Sequence, residues 1–278
     1  MKYYSAEEFL DSIRSSGITQ GDTVLVHASL FSLGMLKDAS LETLCAQIYG
    51  LLRQAVGKEG TLLVPAYFYE YARTPEPFDA VLSPVSKELG VFAQYVAALP
   101  DAVRSYNPLT CLAAVGQHAE YICRGGTATG YGVDSPWDRL TRSGGKCLML
   151  GVALPQCFTY CHYIEQMFGV PHMYAKRYTV PIYDNGMPVS LPVITYVRYL
   201  DYDIHVDLRR FETVLKENGL LMSNPLGLNA LHVVELKNAF EKGIECLKQD
   251  MSFFLLHPPR FRAGEIPADE KIYHSHTA

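Results

Sequence analysis

The 278-residue sequence contains no run of about 18 apolar residues, so no segment can span a bilayer as a helix. Its first residues, Met1-Lys2-Tyr3-Tyr4-Ser5-Ala6-Glu7-Glu8, lack the apolar core of a signal peptide, and the expectation is a cytoplasmic protein without a membrane partner. Cysteine is sparse. Seven scattered residues, odd in number, argue against a disulfide framework and for reduced thiols. Basic clusters are missing as well: 24 Lys and Arg stand against 29 Asp and Glu, a formal net charge of -5, which argues against nucleic acid as a partner. There is no low-complexity linker, no internal repeat, no Gly-Lys-Thr phosphate loop and no GxGxxG fingerprint. What remains is an ordinary globular composition, 49% hydrophobic and 19% charged, expected to form one domain over residues 1–278.

Strand-like and helix-like segments alternate along this chain. Helix is expected at 7–16, from Ser40 as N-cap to about Val56, at 89–99, at 117–124 and at 157–168. Strands are expected at 23–26, 61–64, 110–115 and 146–152. The rhythm is that of a layered α/β/α fold with a largely buried mixed sheet. Around Asp184-Asn185-Gly186 it changes to a β-hairpin, with flanks at 178–183 and 189–199, which defines a smaller hairpin lobe over 177–206. A helix from Asp207 to about Asn218 follows, and the tail after Pro258 reads as irregular.

Thr159-Tyr160-Cys161-His162-Tyr163-Ile164-Glu165 carries the strongest chemical signal. On a helix, positions i and i+3 share a face, so His162 and Glu165 reach one small volume. A neutral imidazole there can take a proton from an attacking nucleophile while the carboxylate orients the ring or holds a cation. Polar turns after strands are where open α/β sheets hold ligands. Four such turns stand out: His27-Ala28-Ser29-Leu30-Phe31-Ser32-Leu33-Gly34, Pro65-Ala66-Tyr67, Arg104-Ser105-Tyr106-Asn107-Pro108 and Ser135-Pro136-Trp137-Asp138-Arg139-Leu140. The first would expose backbone N–H groups suited to phosphates and amides. Asp201 and Asp203 are candidates for holding a cationic acceptor at the lobe junction.

Taken in order, these segments, with Leu148-Met149-Leu150-Gly151-Val152 between the last two motifs, resemble the aminoglycoside 3-N-acetyltransferase family over roughly residues 20–255. The resemblance implies transfer of an acetyl group from acetyl-CoA to an amine of an amino sugar or aminoglycoside, as in antibiotic resistance. It also implies a fold distinct from the commoner acetyltransferase (GNAT) fold. Carried over, His27, Ser29, Leu30, Ser32, Leu33 and Gly34 would hold the donor, helped by Arg104, Ser105 and Ser135. His162 would be the general base, with Glu165 beside it and no metal.

Two departures bear on the acceptor. Asn107 stands where the family usually has His before the proline of Arg104-Ser105-x-x-Pro108. After Pro65 the chain runs Ala66-Tyr67-Phe68-Tyr69-Glu70-Tyr71, an aromatic wall rather than short polar residues and an acid. Tyr67, Tyr71 and Asn107 are therefore candidate acceptor contacts, and a nucleotide-linked amino sugar destined for a surface glycan is the alternative acceptor. Three other readings compete: a metal-dependent hydrolase built on Cys157, Cys161, His162, Glu165 and His172, a Cys161 acetyl relay, and an inactive binding module. A homodimer is left open.

Overall fold

The computed structural model describes residues 2–125, 127, 129–261 and 267. Nine strands carry the architecture: β1 (Thr23–Ala28), β2 (Thr61–Pro65), β3 (Val103–Arg104), β4 (Leu112–Gly116), β5 (Lys146–Leu150), β6 (Met173–Tyr178), β7 (Val193–Arg198), β8 (Leu221–Leu226) and β9 (Asn229–Glu235). All but β6 and β7 form one seven-stranded sheet in the order β8-β9-β5-β1-β2-β4-β3. The central pairs β5–β1 and β1–β2 are parallel, and the flanking pairs are antiparallel. β1, β2, β4 and β5 are buried almost without alternation, as expected of strands covered on both faces.

Two groups of helices provide that cover. α1 (Ala6–Ser15), α2 (Leu44–Val56) and α3 (Gly90–Ala97) pack together against β8, β2, β4 and β1. α4 (Ala119–Cys123), α5 (Pro136–Arg142), α6 (Cys161–Phe168), α7 (Arg209–Glu217) and α8 (Leu236–Gln249) make the second layer. α1 opens with a Ser5–Glu8 capping box, which satisfies two otherwise orphan N–H groups. α2 begins at Leu44 rather than at Ser40, because Ser40 and Thr43 bond to one another in a tight turn before the regular helix. The expected helix 157–168 is also two pieces, a turn at Leu154–Cys157 and then α6.

The hairpin lobe exists with shifted boundaries. β6 pairs antiparallel with β7, Met173 opposite Arg198 and Tyr178 opposite Val193, so the ribbon starts at 173 and not 177. The Asn185–Gly186 turn caps a separate short pair, Ile182–Asp184 with Met187–Pro188, both turn residues having positive φ. Pro181 has no N–H to give and separates the two pairings. The Asp79 carboxylate takes the N–H groups of Asn185 and Gly186 and fixes this turn to the body. β8 and β9, a hairpin that the sequence pattern did not announce, extend the sheet. Among the described residues no helix is long and apolar enough to cross a membrane. Apart from residues 259–261 and 267, the tail after Pro258 lies outside the described residues.

Candidate active site

The parallel strands β1, β2 and β5 end at the same edge of the sheet, and β4, antiparallel to β2, begins there. That edge delivers two of the expected turns, residues 27–34 after β1 and Ala66-Tyr67 after β2, together with the lead into α6 after β5. A cavity of about 510 Å³ opens between this edge and the β6–β7 ribbon. Tyr67, Thr110, Tyr131, Thr159, His162 and Glu165 line it from the body, and Lys176, Tyr178, Tyr196 and Arg198 from the ribbon.

His162 and Glu165 lie on the first turns of α6, as their spacing requires. His162 Nδ1 is 2.7 Å from Glu165 Oε2, and the carboxylate's other oxygen is 3.0 Å from Nε2 of His172, just beyond the helix. Glu165 and His172 are buried, whereas His162 keeps 29% of its side chain exposed to the cavity. Burial opposes the charge on Glu165, but the two imidazole hydrogen bonds outweigh it and hold its pKa below the ordinary value. An ionised carboxylate only accepts, so His162 Nδ1 and His172 Nε2 carry the protons. The lone pair of neutral His162 is then on Nε2. Burial also works against protonation of His162; the Cys161 sulfur and the Glu165 carboxylate reverse this and raise its pKa above 6.5.

Around this pair the side chains are in contact with one another. The Tyr131 ring lies 5.9 Å from that of His162, and Tyr67 O–H donates to Thr159 Oγ1 at 3.1 Å. Cys161, His162 and Glu165 place one donor atom each within 4.8 Å of the others. Both Glu165 oxygens are already bonded to imidazoles, and burial raises the Cys161 pKa against the pull of the neighbouring His162. Neither a closed metal set nor an activated cysteine follows from that arrangement.

The 27–34 turn is held rigidly beside the edge. Ser29 N–H bonds to Leu150 O at 2.8 Å, and Ser32 Oγ donates to Ser29 O and Gly151 O. Gly34 has φ +92°, and a Cβ there would strike the carbonyl oxygen of Lys2. Leu30 and Leu33 anchor the turn in the core, and Gly34 lets it reverse. His27 is buried, its Nε2 has no partner among the described residues, and burial lowers its pKa to about 4.

Other expected site residues serve the fold. Each guanidinium nitrogen of Arg104 donates to a backbone carbonyl, Ala66 O at 2.9 Å, Ser83 O at 2.5 Å and Pro84 O at 3.3 Å among them, which occupies it where a phosphate was expected. Ser105 Oγ accepts from Leu112 N–H, and Ser135 caps α5 by accepting from Asp138 N–H. Asn107 bonds to Ile194 O at 3.0 Å and accepts from Thr195 Oγ1 at 3.2 Å, a clasp between body and ribbon that uses both ends of an amide. Tyr71, expected as an acceptor contact, does not line the cavity; its ring packs on Tyr178, which does, and its hydroxyl donates to Val180 O. Asp201 and Asp203 do not line the cavity, and Asp203 accepts from His205 and His257. Sequence reasoning overlooked Tyr131, Lys176 and Arg198, and named His172 only as a metal ligand. The period-2 placement of Tyr174, Lys176 and Tyr178 was the available signal.

A histidine held by a buried carboxylate thus stands beside the strand-end turns of a mixed α/β sheet. The model of the aminoglycoside 3-N-acetyltransferase family matches residues 25–248, and the chain belongs to that family. It is thus a CoA-dependent N-acetyltransferase. Aminoglycoside N(3)-acetyltransferase IV of a Salmonella species is 30% identical over 255 residues, covering 91% of this chain and 90% of that one. The apoenzyme structure of aminoglycoside acetyltransferase AAC(3)-IVa superposes with a TM-score of 0.72 at 27% identity, covering 92% of each chain. A histidine-to-alanine variant of that enzyme, in complex with a gentamicin, matches with a TM-score of 0.72 at 27% identity and 93% coverage of each chain. AAC-IIIb with CoASH, 24% identical, shares the fold with a TM-score of 0.74 and is covered over 100% of its length by 92% of this chain.

Proposed function

We propose that this protein transfers the acetyl group of acetyl-CoA to an amine of an amino sugar or aminoglycoside, with His162 as general base. The observation that carries the proposal is the His162–Glu165–His172 chain opening onto the cavity. Glu165 fixes the Nδ1–H tautomer of His162, so Nε2 is the basic atom. As the amine nitrogen attacks the thioester carbonyl, Nε2 takes its proton, the C–N bond forms, and the C–S bond breaks. The proton then passes to the leaving CoA sulfur.

The 27–34 turn is the proposed seat of the donor, supported by its position beside the strand ends and by the family resemblance. A complex of AAC-IIIb with CoASH and complexes of AAC(3)-IVa with a gentamicin and with apramycin support the two substrate classes. A cytoplasmic location agrees with seven free cysteines.

The test is steady-state kinetics of thiol release. His162→Ala is expected to lower kcat by about 10² or more while acetyl-CoA affinity stays nearly unchanged. Cys161→Ser should cost less than about threefold. If Cys161→Ser is as damaging as His162→Ala and an acetylated protein accumulates, a cysteine relay replaces direct transfer.

A further inference from the structure

We propose that the acceptor is an amino sugar carrying a phosphate that Lys176 holds, with Arg198 adding positive charge at the rim of the same cavity. The inference rests on the transferase reading and names the acceptor's class. The cavity charge points this way. Among the described residues its lining contains one carboxylate, Glu165, with each oxygen committed to an imidazole. The ribbon side contributes two cations, Lys176 and Arg198, neither of which forms an ion pair with a carboxylate among the described residues.

Lys176 faces Thr195 in register and Arg198 faces Met173, so the two cations leave opposite faces of the ribbon; the Lys176 ammonium lies 5.2 Å from the ring centre of Tyr178. Arg198 commits one nitrogen to Ile204 O at 3.2 Å and leaves the rest of its guanidinium to the rim. Among the described residues a polycationic acceptor would meet two like charges here and no free acid. A sugar phosphate would instead meet the Lys176 ammonium, with the Arg198 guanidinium at the rim and tyrosine rings beside its apolar face.

The same cations would also suit the phosphates of CoA, and the experiment separates the two sources. Glucosamine and glucosamine 1-phosphate differ only in the charged group, and gentamicin supplies the polycationic comparison. kcat/KM for each acceptor is measured for the wild-type enzyme, Lys176→Glu and Arg198→Gln, alongside calorimetric titration of the two sugars. The expectation is a preference of about tenfold or more for the phosphorylated sugar. Lys176→Glu should abolish it, with the change in the acceptor KM and not in that of acetyl-CoA, and Arg198→Gln should weaken it.

Equal kcat/KM for the two sugars, or a preference for gentamicin, overturns the proposal. So does a rise confined to the acetyl-CoA KM in Lys176→Glu, which would give the cations to the donor. If no amine is acetylated at all, the transferase reading fails, and the two calorimetric affinities still decide whether the phosphate is recognised.

Discussion

The carboxyl edge of the sheet and the β6–β7 ribbon face each other across one cavity, yet different forces shape them. At the edge, backbone contacts leave little freedom: Ser29 and Ser32 are tied to Leu150 and Gly151, and Gly34 sits where a side chain would collide with backbone. On the ribbon, half-exposed tyrosines and two cations project from a two-stranded sheet that Asn107 clasps to the body. Chemistry common to all acceptors belongs on the rigid side, where geometry must be exact for every turnover. Acceptor choice belongs on the ribbon, where a side chain can change without disturbing the fold.

Substitution at each side should separate the two. Gly34→Val combines a positive φ with a backbone clash and is expected to lower Tm by roughly 10 °C, read by calorimetry. Lys176→Gln should leave Tm within about 2 °C, since among the described residues its ammonium forms no ion pair and lies beside the Tyr178 ring. Comparable losses would mean that the ribbon is as structurally committed as the edge. A smaller effect is expected at His172, which acts through Glu165. His172→Phe should reduce kcat about tenfold with the acetyl-CoA KM unchanged, and His172→Asn, which restores a donor to Glu165, should recover part of it.

The same contrast explains what could be read from the sequence. β1, β2 and β5 are continuous apolar runs, and the i, i+3 spacing of His162 and Glu165 survives because it depends only on local helix geometry. The ribbon was misplaced because the Tyr-Thr-Val-Pro-Ile-Tyr stretch looks like one strand. Which side of Pro181 pairs with Val193–Arg198 is a tertiary matter. The β8–β9 hairpin was hidden by Pro225 inside an alternating run. Arg104 has the right chemistry for phosphate, but its reach to three carbonyls is invisible without the fold. His172 joins the site only because the chain turns back after α6.

The pH profile of kcat/KM for the wild-type enzyme and Glu165→Gln tests the central claim, that His162 is the base and Glu165 sets its basicity. Transfer needs His162 unprotonated, so the rate falls as pH drops through its pKa. The carboxylate favours the imidazolium and raises that pKa, which puts the wild-type acidic limb above the ordinary histidine value of 6.5. Replacing the carboxylate by a neutral amide removes the attraction, and the limb should move to lower pH while the plateau falls by about 10². A limb that stays in place or moves to higher pH would contradict the assignment.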